Sequence, residues 1–510
     1  MTRVHAASSS EGAVPVNPLL EVLPLPVRYE DLPMLLNHEP LLSVRMRDLP
    51  LADREPYASK ITTHFVPTPA AVDIADAIFS AIWAGYEDRN PATKSFLSER
   101  MQVAKMDPLK GLSLQLGNVR NARGLTIKGM TGLGKSTIVN RVLSLLPQVV
   151  QHGQNQQCGW ASQLQLVWIK VDMTSDGSRH GFLMQIYAAV DAALGTDYFR
   201  QYSAKKWSVE THMVVVAQLL FNSFCGVLIV EEIQLRNFQS DASRNLMLLF
   251  FLRLCNLGIP IVLIGNPIGF EGFEDFSQDV RRMSSGGAFE LWPAPSSNDV
   301  EWVEFIVPGM LRFNILPKPP QLVDAAELLF SFTGGICDFL AKLLIQAQLL
   351  ALRSGKDHLS NDEVVAAFRS PVMRSSHALI RGLVERDVNA LSRFLDVPAL
   401  SFASMWESEL DPMRPVKGGS SSLSAAASAK MALTQGADIA SKGGRARSSA
   451  KAPRFVAAAA TFQGKKTSAE RRKQKAEELR ASLSPEDVRA DGRQNVLLGN
   501  FHELKKRKGP

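Results

Sequence analysis

Apolar residues along the chain recur with two periods, and the changes between them mark its elements. Gly124-Leu125-Thr126-Ile127-Lys128 predicts a strand over 124–129, and Thr137-Ile138-Val139-Asn140-Arg141-Val142-Leu143 spaces its apolar residues as a helix over 135–146. Leu164 to Asp172 reads as a second strand, followed by helices over Gly181–Leu194 and Val209–Asn222. Gly226 to Val230 is an apolar strand that ends in Glu231-Glu232. A helix over Ala242–Asn256, a strand over Ile259–Ile264 and a fifth strand over Ala288–Trp292 complete the alternation, which predicts an α/β fold: a mostly parallel sheet with helices on both faces. From Asn298 to about Leu395 the pattern is all-helical, with helices expected over Leu322–Phe332, Ile336–Leu352, Asn361–Phe368 and His377–Val388. The chain therefore divides into a Pro-rich N-terminal arm (1–65), a nucleotide-binding domain with preceding helices over Ala70–Ala84 and Thr93–Ala104 (66–297), an α-helical lid (298–410) and a flexible basic C-terminal tail (411–510). The arm is expected to be extended with short helices, to bind a partner and to be ordered against it.

Charge changes the picture at the tail. The 510 residues carry a formal charge of +7, while the stretch after residue 410 carries roughly +12, so the remainder is slightly acidic. The Gly/Ser-rich run from Gly418 leads to an expected charged helix over Ser468–Ser482 and to Lys505-Lys506-Arg507-Lys508, a solvated tail or a contact for nucleic acid or a partner protein. Cys158, Cys225, Cys255 and Cys337 lack metal-site spacing, and three of them lie in apolar segments as expected for buried thiols of a reducing cytoplasm. Met1-Thr2-Arg3-Val4-His5 is polar, so no secretory signal is expected; the interrupted apolar run Met213–Val230 reads as a buried helix entering a buried strand, and no membrane partner is expected.

The chemistry centres on Gly129-Met130-Thr131-Gly132-Leu133-Gly134-Lys135-Ser136, which fits G-x-x-x-x-G-K-[ST] between a strand and a helix. Gly129, Thr131, Gly132, Leu133, Gly134, Lys135, Ser136 and Thr137 are the candidate nucleotide-binding residues. Their backbone N–H groups and the helix dipole favour a polyphosphate, with Lys135 reaching the outer phosphates and Ser136 ligating Mg²⁺. Glu231 and Glu232 end the third strand beside that loop. Glu231 is assigned to the metal shell and Glu232 to orienting water, the alternative being a solvated strand end. Asn266, at the end of Val262-Leu263-Ile264-Gly265, can sense a γ-phosphate or simply form a turn with Pro267. Arg281 and Arg282 can reach a neighbouring subunit's nucleotide or lie idle on the surface. Absence of Asn-Lys-x-Asp favours ATP over GTP. Tyr198 to Trp207 interleaves bases with aromatic residues, either for a phosphate backbone or as a packed connection.

Together these features resemble an AAA+ P-loop ATPase, and more narrowly the TnsC and TniB family, ATP-dependent regulators of heteromeric bacterial DNA transposons. Asn17-Pro18-Leu19-Leu20-Glu21-Val22-Leu23-Pro24, Gly85-Tyr86-Glu87-Asp88-Arg89-Asn90-Pro91, Leu145-Leu146-Pro147-Gln148-Val149-Val150 with His152, Asp191 to Tyr198, Glu232-Ile233-Gln234 and Val262 to Pro267 are each similar to that family over about residues 17–395. Glu231 stands where the family has Asp, and Asn266 where it has Thr. The resemblance implies a bacterial cytoplasmic ATPase, slow and regulatory, that binds ATP between subunits and assembles as a ring or helical filament on double-stranded target DNA. It implies a TnsD- or TniQ-type target selector and a TnsA/TnsB-type transposase as partners, Arg281 or Arg282 as a finger acting in trans, and Arg179, Lys205 and Lys206 as DNA contacts. A DNA-loading or initiator-type ATPase and a DNA-independent signalling NTPase are the competing expectations.

Overall fold

The computed structural model describes residues 15–40, 46, 49–110, 120, 122–234, 241–270 and 281–410. The expected tail (411–510), with its helix and terminal basic cluster, lies outside the described residues. Strands β1 (Gly124–Gly129), β2 (Val149–His152), β3 (Gln163–Leu166), β4 (Trp168–Asp172), β5 (Val227–Ile233), β6 (Ile261–Gly265) and β7 (Gly287–Leu291) form two sheets. The main one has the order β4-β5-β6-β1-β7, every neighbouring pair parallel. Its central strands β5 and β6 are buried almost throughout, which is why they read as continuous apolar runs. Helices α1 (Pro69–Glu87), α2 (Lys94–Lys105), α3 (Lys135–Leu143), α4 (Arg179–Leu194), α5 (Val209–Asn222) and α6 (Asp241–Asn256) accompany it. Thr68, Thr93, Ser178 and Ser208 cap α1, α2, α4 and α5, each accepting a hydrogen bond from a first-turn N–H.

The single strand expected over 164–172 is two. β3 pairs antiparallel with β2 in a separate ribbon, and β4 enters the main sheet beside β5. The change of partner falls at Val167, whose N–H donates to Gln148 O at 2.8 Å while its carbonyl accepts from Val227 N at 3.1 Å. The phosphate-loop helix stops at Leu143, three residues early, where i→i+3 bonds from Leu145 and Leu146 close the turn before Pro147. The helix expected over His377–Val388 also stops early, at Val384: Arg386 adopts φ +55, and Asp387 caps a new turn from Val388.

Beyond the sheet, α7 (Ala325–Thr333), α8 (Cys337–Arg353), α9 (Asn361–Phe368), α10 (His377–Val384) and α11 (Ala399–Leu410) build the helical part. Trp302, Leu329, Leu340, Leu343, Leu344, Val364 and Met373 form its core. Among the described residues no single helix is long and apolar enough to cross a membrane. Cys158, Cys225 and Cys255 are buried free thiols, while Cys337 is half-buried.

The described residues of the arm pack against the chain itself, which covers their apolar side chains. Leu19, Leu32 and Leu36 are fully buried in the main core, and Met46, Ala58 and Ile61 in the helical one. Polar groups fix its entry: Asn17 Nδ2 donates to Tyr86 O (2.7 Å), Asn90 Nδ2 to Pro15 O (2.6 Å) and Gln165 Nε2 to Leu19 O (3.0 Å). Leu19→Ala is therefore expected to lower unfolding free energy by about 2–5 kcal/mol, the cost of a truncated core leucine. Denaturant unfolding checks this; an unchanged midpoint would mean that the arm is not part of the core.

Candidate nucleotide site

The loop between β1 and α3 turns on two glycines, Gly132 (φ +89) and Gly134 (φ +86), a backbone region that side-chain-bearing residues avoid. Thr131 is exposed at its tip, Lys135 and Ser136 are half-buried, and Thr137 faces outward on the first turn of α3. Lys135 Nζ folds back on its own loop, donating to Gly129 O at 2.7 Å and Met130 O at 2.8 Å. Removal from water lowers the Lys135 ammonium to about 8, against the upward pull of the nearby Glu232 and Glu231 carboxylates. The loop's apolar residues are covered rather than open: Met130 and Leu133 are buried with Ile336, Phe402 and Trp406 of the helical part, and Asp338 N donates to Gly132 O at 3.0 Å.

β5 carries both acids to the same edge of the sheet. Glu231 pairs in register with Asp172 and is only 6% exposed. Lys170 Nζ lies 3.3 Å from Glu231 Oε2 and donates to Asn140 Oδ1 of α3 at 2.8 Å. The other oxygen, Glu231 Oε1, is buried without a hydrogen-bond partner. Such an orphaned carboxylate oxygen beside a phosphate loop fits a hard divalent cation such as Mg²⁺, with the Ser136 hydroxyl in the first turn of α3. Glu232 is exposed, has φ +59, and accepts from Gln234 Nε2. Its turn takes up a one-residue slip between β5 and β6, where Ile233 rather than Glu232 lies opposite Gly265. Gly265 allows this close approach: a Cβ there would lie 2.1 Å from Ile233 O.

The other expected residues have distinct positions. Asn266 Oδ1 accepts from Ile268 N (3.0 Å), and its Nδ2 donates to Asp396 O (2.6 Å), so its amide joins the sheet edge to the segment before α11. Arg281 and Arg282 are exposed at the opposite end of the sheet: Gly286 N bonds to Gly124 O at the start of β1, and Arg282 donates to Asn256 Oδ1. A strand the length of β1, roughly 17 Å, separates that end from the loop. Arg179 starts α4, and Lys205 and Lys206 follow the turn of helix at Tyr198–Ser203. An aromatic pile links these starts, with His180 5.2 Å and Trp207 5.6 Å from His212, so the three bases share one end of the helix pair. Lys170, Asn140, Asp338 and Asp396 were not anticipated from sequence; the one available signal is a lysine inside the apolar run Trp168-Ile169-Lys170-Val171.

A glycine loop, its lysine and a buried carboxylate at one edge of a parallel sheet define a P-loop nucleotide-binding domain. Residues 119–273 match the family model described as an AAA domain, and the chain carries an AAA+ ATPase domain of that fold. No curated protein matches the chain. Among solved structures, Cdc6p from Pyrobaculum aerophilum is similar over 54% of this chain and 69% of its own at 11% identity and TM-score 0.35. The Aeropyrum pernix ORC2 protein in ADPNP–ADP complexes is similar over 66% and 85% at 15% identity and TM-score 0.33. The Aeropyrum pernix ORC1 protein in complex with DNA is similar over 68% and 87% at 16% identity and TM-score 0.32. At these TM-scores the likenesses say nothing of function.

The lowered Lys135 value gives a pH test. Phosphates favour the charged lysine, so binding requires the free protein to take up a proton once pH exceeds about 8. Nucleotide affinity is expected to be flat below that value and about tenfold weaker at about pH 9 than at about pH 7. Equilibrium titration with a fluorescent ATP analogue reads this, and a flat profile would mean that Lys135 stays fully charged in the free protein.

Proposed function

We propose that this chain is an ATP-dependent DNA-binding regulator of transposition, of the TnsC and TniB kind, that oligomerises on double-stranded target DNA and links a target selector to the transposase. The observation that carries the ATP part is the convergence of the Lys135 loop and the half-satisfied Glu231 carboxylate at one sheet edge. In this reading Gly129 and Thr131 to Thr137 hold the phosphates, and Ser136 and Glu231 hold Mg²⁺, which when bound neutralises phosphate charge. Lys135 exchanges its two loop carbonyls for phosphate oxygens. Glu232, exposed and turned out of the strand, orients the attacking water, and Asn266 reads the terminal phosphate. Hydrolysis is slow and regulatory.

The position of the arginines supports an oligomer. Arg281 and Arg282 lie at the far end of the sheet from their own loop, a placement that supports action on a neighbouring subunit's nucleotide. ATP held between subunits stabilises the assembly by binding it better than the separated chains. Arg179, Lys205 and Lys206 are proposed to contact the DNA backbone, as the sharing of one helix end supports. The specific partners, a TnsD- or TniQ-type selector and TnsA/TnsB-type transposase, rest on the resemblance of the sequence.

Electron microscopy of the protein with double-stranded DNA and ATP, ADP or a non-hydrolysable analogue tests this function. Rings or filaments that form only with triphosphate are expected, and Lys135→Ala is expected to abolish both them and transposition. Normal assembly by Lys135→Ala would sink the proposal, and the absence of DNA binding in every nucleotide state, with selector added, would favour a signalling NTPase. Truncation after Pro412 is expected to leave DNA-stimulated ATPase intact and to impair transposition, as measured in a reconstituted reaction; normal transposition would remove the tail from the machinery.

A further inference from the structure

We propose that Lys170 is a positioning residue that holds one oxygen of Glu231 so that the other is presented to the nucleotide's metal ion. This rests on the reading of the site as one for Mg²⁺-ATP. Glutamate reaches one methylene further than aspartate and has an additional rotatable bond, so a metal ligand built on it is less well placed unless something fixes its head group. Lys170 is in register with Ile229, two residues before Glu231, so it shares a face of the sheet with the acid. Its ammonium bridges two elements, donating to Asn140 Oδ1 on α3 at 2.8 Å and lying 3.3 Å from Glu231 Oε2. Glu231 Oε1 is left buried without a hydrogen-bond partner.

Both halves of this arrangement matter. A lysine that simply neutralised the acid would not account for the unsatisfied oxygen, because leaving a buried carboxylate oxygen unpaired is unfavourable. A divalent cation at the phosphate loop would satisfy it. Because Asn140 belongs to the helix that follows the loop, the same ammonium also ties the carboxylate to the frame that holds the phosphates. Lys170 does not touch nucleotide in this scheme; it acts through Glu231.

The test is a double-substitution cycle on the full chain, read by equilibrium binding of a fluorescent ATP analogue across a Mg²⁺ titration and in EDTA. Lys170→Met is expected to raise the Mg²⁺ concentration for half-maximal tightening about tenfold, the scale of one charge-assisted hydrogen bond, while affinity in EDTA changes by less than about twofold. Lys170→Arg should recover most of the shift. Glu231→Asp withdraws the carboxylate from Lys170, so adding Lys170→Met to it should shift the Mg²⁺ midpoint by less than about twofold. An unchanged midpoint in Lys170→Met, or an equal shift in both backgrounds, would overturn the proposal. Lys170→Gln, which can still bond Asn140, replaces Lys170→Met should the latter fail to fold, with the same outcomes. Failure of the parent protein to bind nucleotide at all would instead overturn the Mg²⁺-ATP reading.

Discussion

A carboxylate taken out of water at the end of an apolar strand demands compensation, and Glu231 imposes that demand on everything around it. The strand that carries it is buried between two parallel neighbours, so the acid cannot swing into solvent. Compensation comes from Lys170 on β4 and reaches through it to Asn140 on α3. The sheet register, the helix after the phosphate loop and the acidic strand are thereby joined at one ammonium group. Glu232, one residue on, escapes the same constraint by a left-handed turn that leaves it exposed, so adjacent glutamates occupy opposite electrostatic environments.

The parts of this site legible in the sequence are those whose chemistry is local. The glycine loop declares itself because phosphate binding needs fixed spacing within eight residues, and the paired acids do because apolar β5 ends abruptly in charge. The break at Val167 was hidden: the run from Leu164 to Asp172 is apolar on both sides of it, and what changes is the partner strand, supplied from distant sequence. Lys170 carries no motif for the same reason. Its role appears only when parallel pairing sets Asp172 beside Glu231. The packing of the arm is not legible because its leucines follow no sustained period, yet Leu19, Leu32 and Leu36 each find a place in the core.

Contacts from the helical part give the loop a second set of constraints. Met130 and Leu133 are held by Ile336, Phe402 and Trp406, the Gly132 carbonyl by Asp338, and the Asn266 amide by the Asp396 carbonyl. Two distant stretches, one at Ile336 and Asp338 and one at Phe402 and Trp406, therefore bear on the shape of the segment from Gly129 to Thr137. None of these contacts is visible as a motif, because each is a packing or backbone interaction that many residue types could make.

The segment with family similarity and the segment with a complete core do not coincide. Residues 119–273 contain β1 but not β7, its hydrogen-bonded neighbour, and they exclude α1, whose Ile74, Ile78, Ile82 and Tyr86 are buried in the main core. Excised at those limits, the fragment would leave β1 as an open edge, with unpaired backbone groups ready to recruit another strand, and would strip the cover from Met130 and Leu133. Such a piece would self-associate for reasons unrelated to nucleotide or DNA, so its aggregation would be an artefact of where the chain was cut.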